Sequence, residues 1–139
     1  MIQESRTVEL ARGDERLVGH LTYGAGTESD AVSHSLVLEV GGECFERVGE
    51  DVFDCLLSIR QELEERGMQI HVNGACVDVW PSPMSRSMGG GRRAYRMTFG
   101  QQALTKDLVD IFDMAEDGRL GTISEQTQYR ADWFKSLDL

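Results

Sequence analysis

Proline is nearly absent. The two that occur in 139 residues are Pro81 and Pro83, so no proline interrupts a strand or helix anywhere else. Cysteine is also sparse. Cys44, Cys55 and Cys76 are three in number, with no C-x-x-C spacing, which excludes a disulfide framework and a zinc ribbon and leaves packed, reduced thiols as the expectation. Three histidines, His20, His34 and His71, are too few and too scattered for zinc spacing, so no metal site is expected. No apolar run approaches the length of a bilayer span, and Met1–Ser5 lacks the basic flank and apolar stretch of a secretory leader. A cytoplasmic protein with no membrane association is the expectation. Basic residues are the last shortage. Fourteen Lys and Arg face 24 Asp and Glu, a formal net charge of −10 that repels nucleic acid phosphate and anionic lipid at long range. The same charge would attract a basic protein partner.

What is present fits a folded domain. Hydrophobic residues make up 40% and charged residues 27%, near the globular average, and the length suits one domain over residues 1–139 with a core that needs no staples. Val8 and Leu10, then Leu17, Leu21 and Tyr23, alternate with polar residues around Arg12-Gly13-Asp14-Glu15, which predicts a hairpin. Gly24 to Asp30 reads as a loop. Ser35 to Val40 reads as a strand with Leu36, Leu38 and Val40 on one face, bending at Gly41-Gly42 and continuing through Cys44 and Phe45.

Asp51 to Arg66 is the clearest helix. Val52, Phe53, Leu56, Leu57 and Leu63 form its apolar stripe, Glu50 and Asp51 suit its positive end, and Gly67 is placed to close it. Asn73-Gly74 lies between β-prone runs and predicts a two-residue hairpin turn with His71 opposite Cys76. Ala94 to Phe99 reads as a last strand. Thr105 is placed to cap a short helix bearing Leu108, Val109 and Phe112, and Thr122 with Glu125 forms a capping box for a terminal helix bearing Tyr129, Trp133 and Leu137. The fold class is therefore α+β: an antiparallel sheet of five or six strands, one long helix packed on a face, and short C-terminal helices.

Three groups of residues carry possible chemistry. The first is the stretch 81–93, where both prolines, three successive glycines and several arginines gather. Ser82, Ser85, Arg86, Gly89, Gly90, Gly91 and Arg92 supply hydroxyls, backbone N–H groups and guanidinium forks, the ingredients for holding a phosphate or carboxylate. No G-K-[ST] follows, so it is not a nucleotide P-loop. A long connection between strands is the plain alternative. The second is His71, Cys76 and Asp78, which the hairpin would bring together. A flat strand face offers no oxyanion hole beside them, so no catalytic residue is assigned. The third is Asp107, Asp110 and Asp113, whose three-residue spacing would place them on one helical face toward a basic partner; a solvated face is the plain alternative.

The run Asn73-Gly74-Ala75, Asp78-Val79, Pro81-Ser82, Met84-Ser85, Met88-Gly89, Gly91, Ala94-Tyr95 and Gly100, followed by Leu108-Val109-Asp110-Ile111-Phe112, resembles a family of small uncharacterised bacterial proteins. No established activity attaches to that pattern, so the resemblance implies no catalytic residues. Two functions follow from the sequence. One is a non-enzymatic protein-binding module, an immunity or antitoxin-like protein that neutralises a basic partner through electrostatic steering. The other is a small-molecule or anion binder, of phosphate or nucleotide, built on residues 81–93. No cofactor is expected in either case.

Overall fold

The computed structural model describes residues 2–28 and 31–138. The chain divides into two compact units, Met1–His71 and Val72–Leu139. All strand pairings are antiparallel, and the fold is α+β.

The first unit is a five-stranded sheet with one helix. β1 (Ile2–Arg12), β2 (Glu15–Glu28), β3 (Ala31–Val40), β4 (Glu43–Gly49) and β5 (Met68–Ile70) lie in the order β4-β3-β2-β1-β5. The predicted first hairpin forms, with Leu10 opposite Leu17. Gly24 to Glu28, expected as loop, instead extends β2 and pairs with β3; Asp30 lies outside the described residues. Glycine and threonine are poor strand formers alone, but a long neighbour supplies the ladder bonds that propensity does not. Alternation fixes the inward face. Leu10, Leu21, Leu36, Leu38 and Phe45 are all buried, and Leu21 pairs with Leu38, which pairs with Phe45.

α1 (Val52–Glu65) lies against β3, β4 and β5. The Asp51 side chain accepts from the Asp54 amide at 3.0 Å and so caps the first turn. Val52, Phe53, Leu56, Ile59 and Leu63 form the buried stripe, while Leu57 is only half-buried. At the other end Gly67 adopts φ +72°, the left-handed conformation that closes the helix. Arg47 on β4 ties the helix down, donating to Ser58 Oγ at 2.8 Å and Glu62 Oε1 at 2.8 Å.

One buried polar pair makes this unit sensitive to pH. Tyr23 and His34 share a hydrogen bond of 2.8 Å and stack, and His34 is 6% exposed. Burial pushes the His34 pKa below its ordinary value, against a smaller upward pull from Asp51. In the unfolded chain the imidazole titrates near about pH 6.5. Between the two values the unfolded chain binds the proton and the folded one does not. Stability is therefore full above about pH 6.5 and declines as pH falls toward the depressed folded pKa. Circular dichroism during urea unfolding should show an earlier midpoint at pH 5.5 than at pH 7.5. The His34→Gln variant should flatten that difference, and an unchanged difference would rule His34 out as its cause.

The second unit contains a three-stranded sheet, β6 (Val79–Trp80), β7 (Arg93–Arg96) and β8 (Leu108–Asp110), in that order. It also contains α2 (Pro83–Gly89) and α3 (Ile123–Ser136). α3 has the predicted capping box, with Glu125 N–H to Thr122 Oγ1 at 3.1 Å and Thr122 N–H to Glu125 Oε1 at 2.9 Å. At 14 residues it equals α1 in length, so one long helix with short terminal ones does not describe the chain.

Two local expectations are overturned here. Asn73-Gly74 is not a hairpin turn: Asn73–Ala75 is a single 3-10 turn, and Gly74 does not have positive φ. The backbone of 72–77 finds distant partners instead, with Asn73 N–H to Asp113 O at 2.8 Å, Gly74 N–H to Ile111 O at 2.9 Å and Val77 N–H to Arg119 O at 2.7 Å. Cys76 bridges to Leu120, so the register that would set it opposite His71 does not exist. The predicted helix after Thr105 is likewise absent. Thr105–Asp107 is a 3-10 turn and Leu108–Asp110 is β8, paired with β7 through Ala94 and Val109.

Candidate functional site

The second unit carries an apolar cavity of about 600 Å³ lined by β6, α2, β7 and α3, together with Gln102 and Ala103. Trp80, Tyr95, Trp133 and Phe134 supply its aromatic walls, and Pro81, Met84 and Met97 fill in between. The positions follow from local structure. Trp80 pairs with Tyr95 across the β6–β7 ladder. Trp133 and Phe134 come from α3, one turn beyond Arg130. The Trp133 indole N–H donates to Thr98 O and to Gln101 O, each at 3.0 Å, and the Tyr129 hydroxyl donates to Met97 O at 2.8 Å. These bonds tie α3 to the segment after β7. The Gln126 amide, fully buried, donates to Gly74 O at 3.0 Å and Val79 O at 2.7 Å and ties it to β6 as well.

The charged groups of the cavity are arginines. Arg130 lies over the Trp80 ring at 5.5 Å and over Phe134 at 5.0 Å. Arg86 lies over Trp80 at 5.7 Å. Burial, and then the neighbouring Arg86, lower the Arg130 pKa. A second apolar hollow of about 300 Å³ adjoins, lined by Met88, Arg93 and Leu108 among others, and it shares Ser82, Met84 and Tyr95 with the first. Met84 and Met88 on α2 are strongly exposed, a soft and adaptable surface between the two hollows.

The glycine-arginine stretch is not an open cradle. Ser82 caps α2 by accepting from the Ser85 amide at 3.0 Å. Gly89 ends the helix, and Gly90 and Gly91 close it with φ +64° and +79°. Their N–H groups point back to Arg86 O at 2.9 Å and Ser85 O at 3.1 Å, so they are not presented to an anion. Arg92 is engaged too, with Nε and Nη2 on the two Asp110 oxygens at 2.8 and 2.9 Å and its guanidinium over Phe112. Of the seven residues singled out in 81–93, Ser82 and Arg86 belong to the aromatic cavity by lining or by stacking on it.

The acidic trio is separated as well. The Asp107 carboxylate accepts from the Leu104 amide at 2.9 Å, Asp110 is held by Arg92, and Asp113 is exposed on the turn beyond β8. They share no helix face. The acidic surplus lies elsewhere: residues 1–71 hold six Lys and Arg against fifteen Asp and Glu, a net of −9, while residues 72–139 hold eight against nine, a net of −1.

Cys76 is fully buried, and burial pushes its thiol pKa up against the lowering influence of Arg96. Burial raises Cys55 likewise, followed by Asp51 and Asp54. Neither thiol is poised as a nucleophile. Asp78 serves another role, bound by Arg96 Nη1 at 3.0 and 3.1 Å and by Arg119 Nη1 at 2.6 Å. Among the described residues, no group of three or more His, Cys, Asp or Glu is arranged to hold a metal ion, and no helix is long and apolar enough to cross a membrane. Arg130 was not singled out from sequence. Its one legible signal is its position on the terminal helix, three residues before Trp133 and four before Phe134, a spacing that puts cation and rings on one face. The chain matches no protein-family model and no curated protein.

Proposed function

We propose that this chain is a non-enzymatic binding protein, and that its second unit holds an apolar or aromatic group in the cavity beside Trp80. One observation carries this reading. Both tryptophans of the protein, with Tyr95 and Phe134, wall a single cavity of about 600 Å³. That volume is in the range of small-molecule sites, and aromatic lining with few polar groups is their usual composition. Three unpaired thiols, two of them buried, suit the reducing conditions of a cytoplasm.

The two indoles make the test direct, since both tryptophans of the chain line this cavity and tryptophan emission reports on it. Titration with 1-octanol or 3-phenyl-1-propanol should shift the emission saturably. Ala103→Phe, which fills the cavity from one wall, should abolish the shift. Emission indifferent to both alcohols would sink the reading.

A second reading, an immunity or antitoxin-like role toward a basic partner, draws support from the net charge of −9 on residues 1–71. Such a partner would associate more slowly as salt rises, and salt-independent association would remove this reading.

A further inference from the structure

The cavity has a charge pattern that an apolar ligand alone does not use. Two guanidiniums lie over the Trp80 ring, Arg86 at 5.7 Å and Arg130 at 5.5 Å from its centroid. Each cation gains from the indole face, but the two also repel each other. Arg130 makes no hydrogen bond or ion pair among the described residues, although carboxylates satisfy several other arginines of this unit. Its planar fork is thus open beside an apolar cavity.

We propose that the ligand of this site is an aromatic or acyl carboxylate, its body in the cavity and its carboxylate on the Arg130 fork, with Arg86, also over Trp80, adding positive potential. This rests on the cavity being a binding site. A monoanion suits it better than a phosphate. One uncommitted guanidinium matches the two oxygens of a carboxylate in a bidentate pair. The other polar groups of the lining are neutral, namely Ser82, Gln102, the Tyr95 hydroxyl and the Trp80 indole N–H, so the lining holds no second cation to balance the second charge of a phosphate. The low polarity of the walls strengthens the pairing, since the ion pair is partly removed from water.

Calorimetric titration of the full chain tests it with matched pairs: 3-phenylpropanoate against 3-phenyl-1-propanol, and octanoate against 1-octanol. Each carboxylate should bind about tenfold or more tightly than its alcohol, as expected for a charge-assisted pair, and the advantage should shrink as sodium chloride rises. Arg130→Met keeps the apolar stem and removes the fork. It should erase the carboxylate's advantage, bringing each carboxylate-to-alcohol affinity ratio to about one. Should that variant fail to fold, the carboxylate-to-alcohol ratio of the native chain and its salt dependence decide the matter. Equal affinities would overturn the carboxylate assignment while leaving the cavity a binding site. Failure of all four probes would overturn the cavity reading itself. Displacement of octanoate by inorganic phosphate, but not by acetate at equal concentration, would assign the fork to phosphate and overturn the proposal.

Discussion

Asp78→Ala should destabilise the second unit by about 3 kcal/mol, the lower end of the range for breaking a buried ion pair by removing one partner. The carboxylate binds both cations of its cluster. Arg96 reaches both of its oxygens, and Arg119 reaches Oδ2 at 2.6 Å. Without it, two guanidiniums face each other with only Asn73 Oδ1, at 3.3 Å, and the outlying Glu116 in range. Arg119 is 41% exposed, so water screens part of the penalty, which places the value at the low end. Asp78→Asn keeps the shape and one acceptor and should lose less. Urea unfolding followed by tryptophan emission reads this unit alone, because Trp80 and Trp133 are its only reporters. A loss below about 1 kcal/mol would mean that the cluster behaves as a surface pair.

The cluster also bears on the binding site. Asp78 lies two residues before Trp80, and the Met97 N–H donates to the Asp78 carbonyl at 2.7 Å, joining β6 to a residue that lines the cavity. Arg96 and Arg119 thus fix the strand that presents the indole. Arg130, over Trp80, has no such carboxylate among the described residues. This unit pairs Arg92, Arg96 and Arg119 with carboxylates and leaves the half-buried Arg130 without one among the described residues, beside an apolar cavity.

What could be read from the residues follows from whether the signal was local. Phe53, Leu56 and Leu63 recur at helical spacing between an Asp cap and a Gly stop, and each of those devices acts within its own segment. α1 was therefore legible, as were the first hairpin and the capping box of α3. Asn73-Gly74 shows the limit. The pair favours a tight hairpin when its neighbours pair with each other, but here the carbonyls of Ile111, Asp113 and Arg119 compete and win. Nothing within residues 68–80 encodes that. Thr105 misled in the same way, because β7 offers Leu108 to Asp110 a ladder that a lone segment does not have. In 81–93, Ser82, Gly90 and Gly91 serve the caps of α2 and Arg92 pairs with Asp110. The open cation came from α3, some fifty residues on, where Arg130 looks like any solvated arginine until Trp80 is placed beneath it.

Gln126 is the most consequential residue that no local rule would single out, and its replacement by leucine should cost the second unit about 2–6 kcal/mol. The side chain has no exposed surface, and its amide nitrogen donates to two main-chain oxygens, Gly74 O at 3.0 Å and Val79 O at 2.7 Å. Leucine is close in volume, so packing changes little and the loss is mainly in hydrogen bonding. Each buried carbonyl left without its donor costs about 1–3 kcal/mol, and there are two. Gln126→Glu should be worse, since a carboxylate would face the same two oxygens. The effect should extend beyond stability. α3 carries Arg130, Trp133 and Phe134, and Gln126 anchors that helix to β6, which carries Trp80. Loosening this anchor should weaken octanoate binding even under conditions where the variant remains folded. Tryptophan-monitored urea unfolding gives the first quantity and calorimetric titration the second. A Leu variant with an unshifted midpoint would mean that water or other donors reach both carbonyls, and that the Tyr129 and Trp133 bonds alone hold α3 in register.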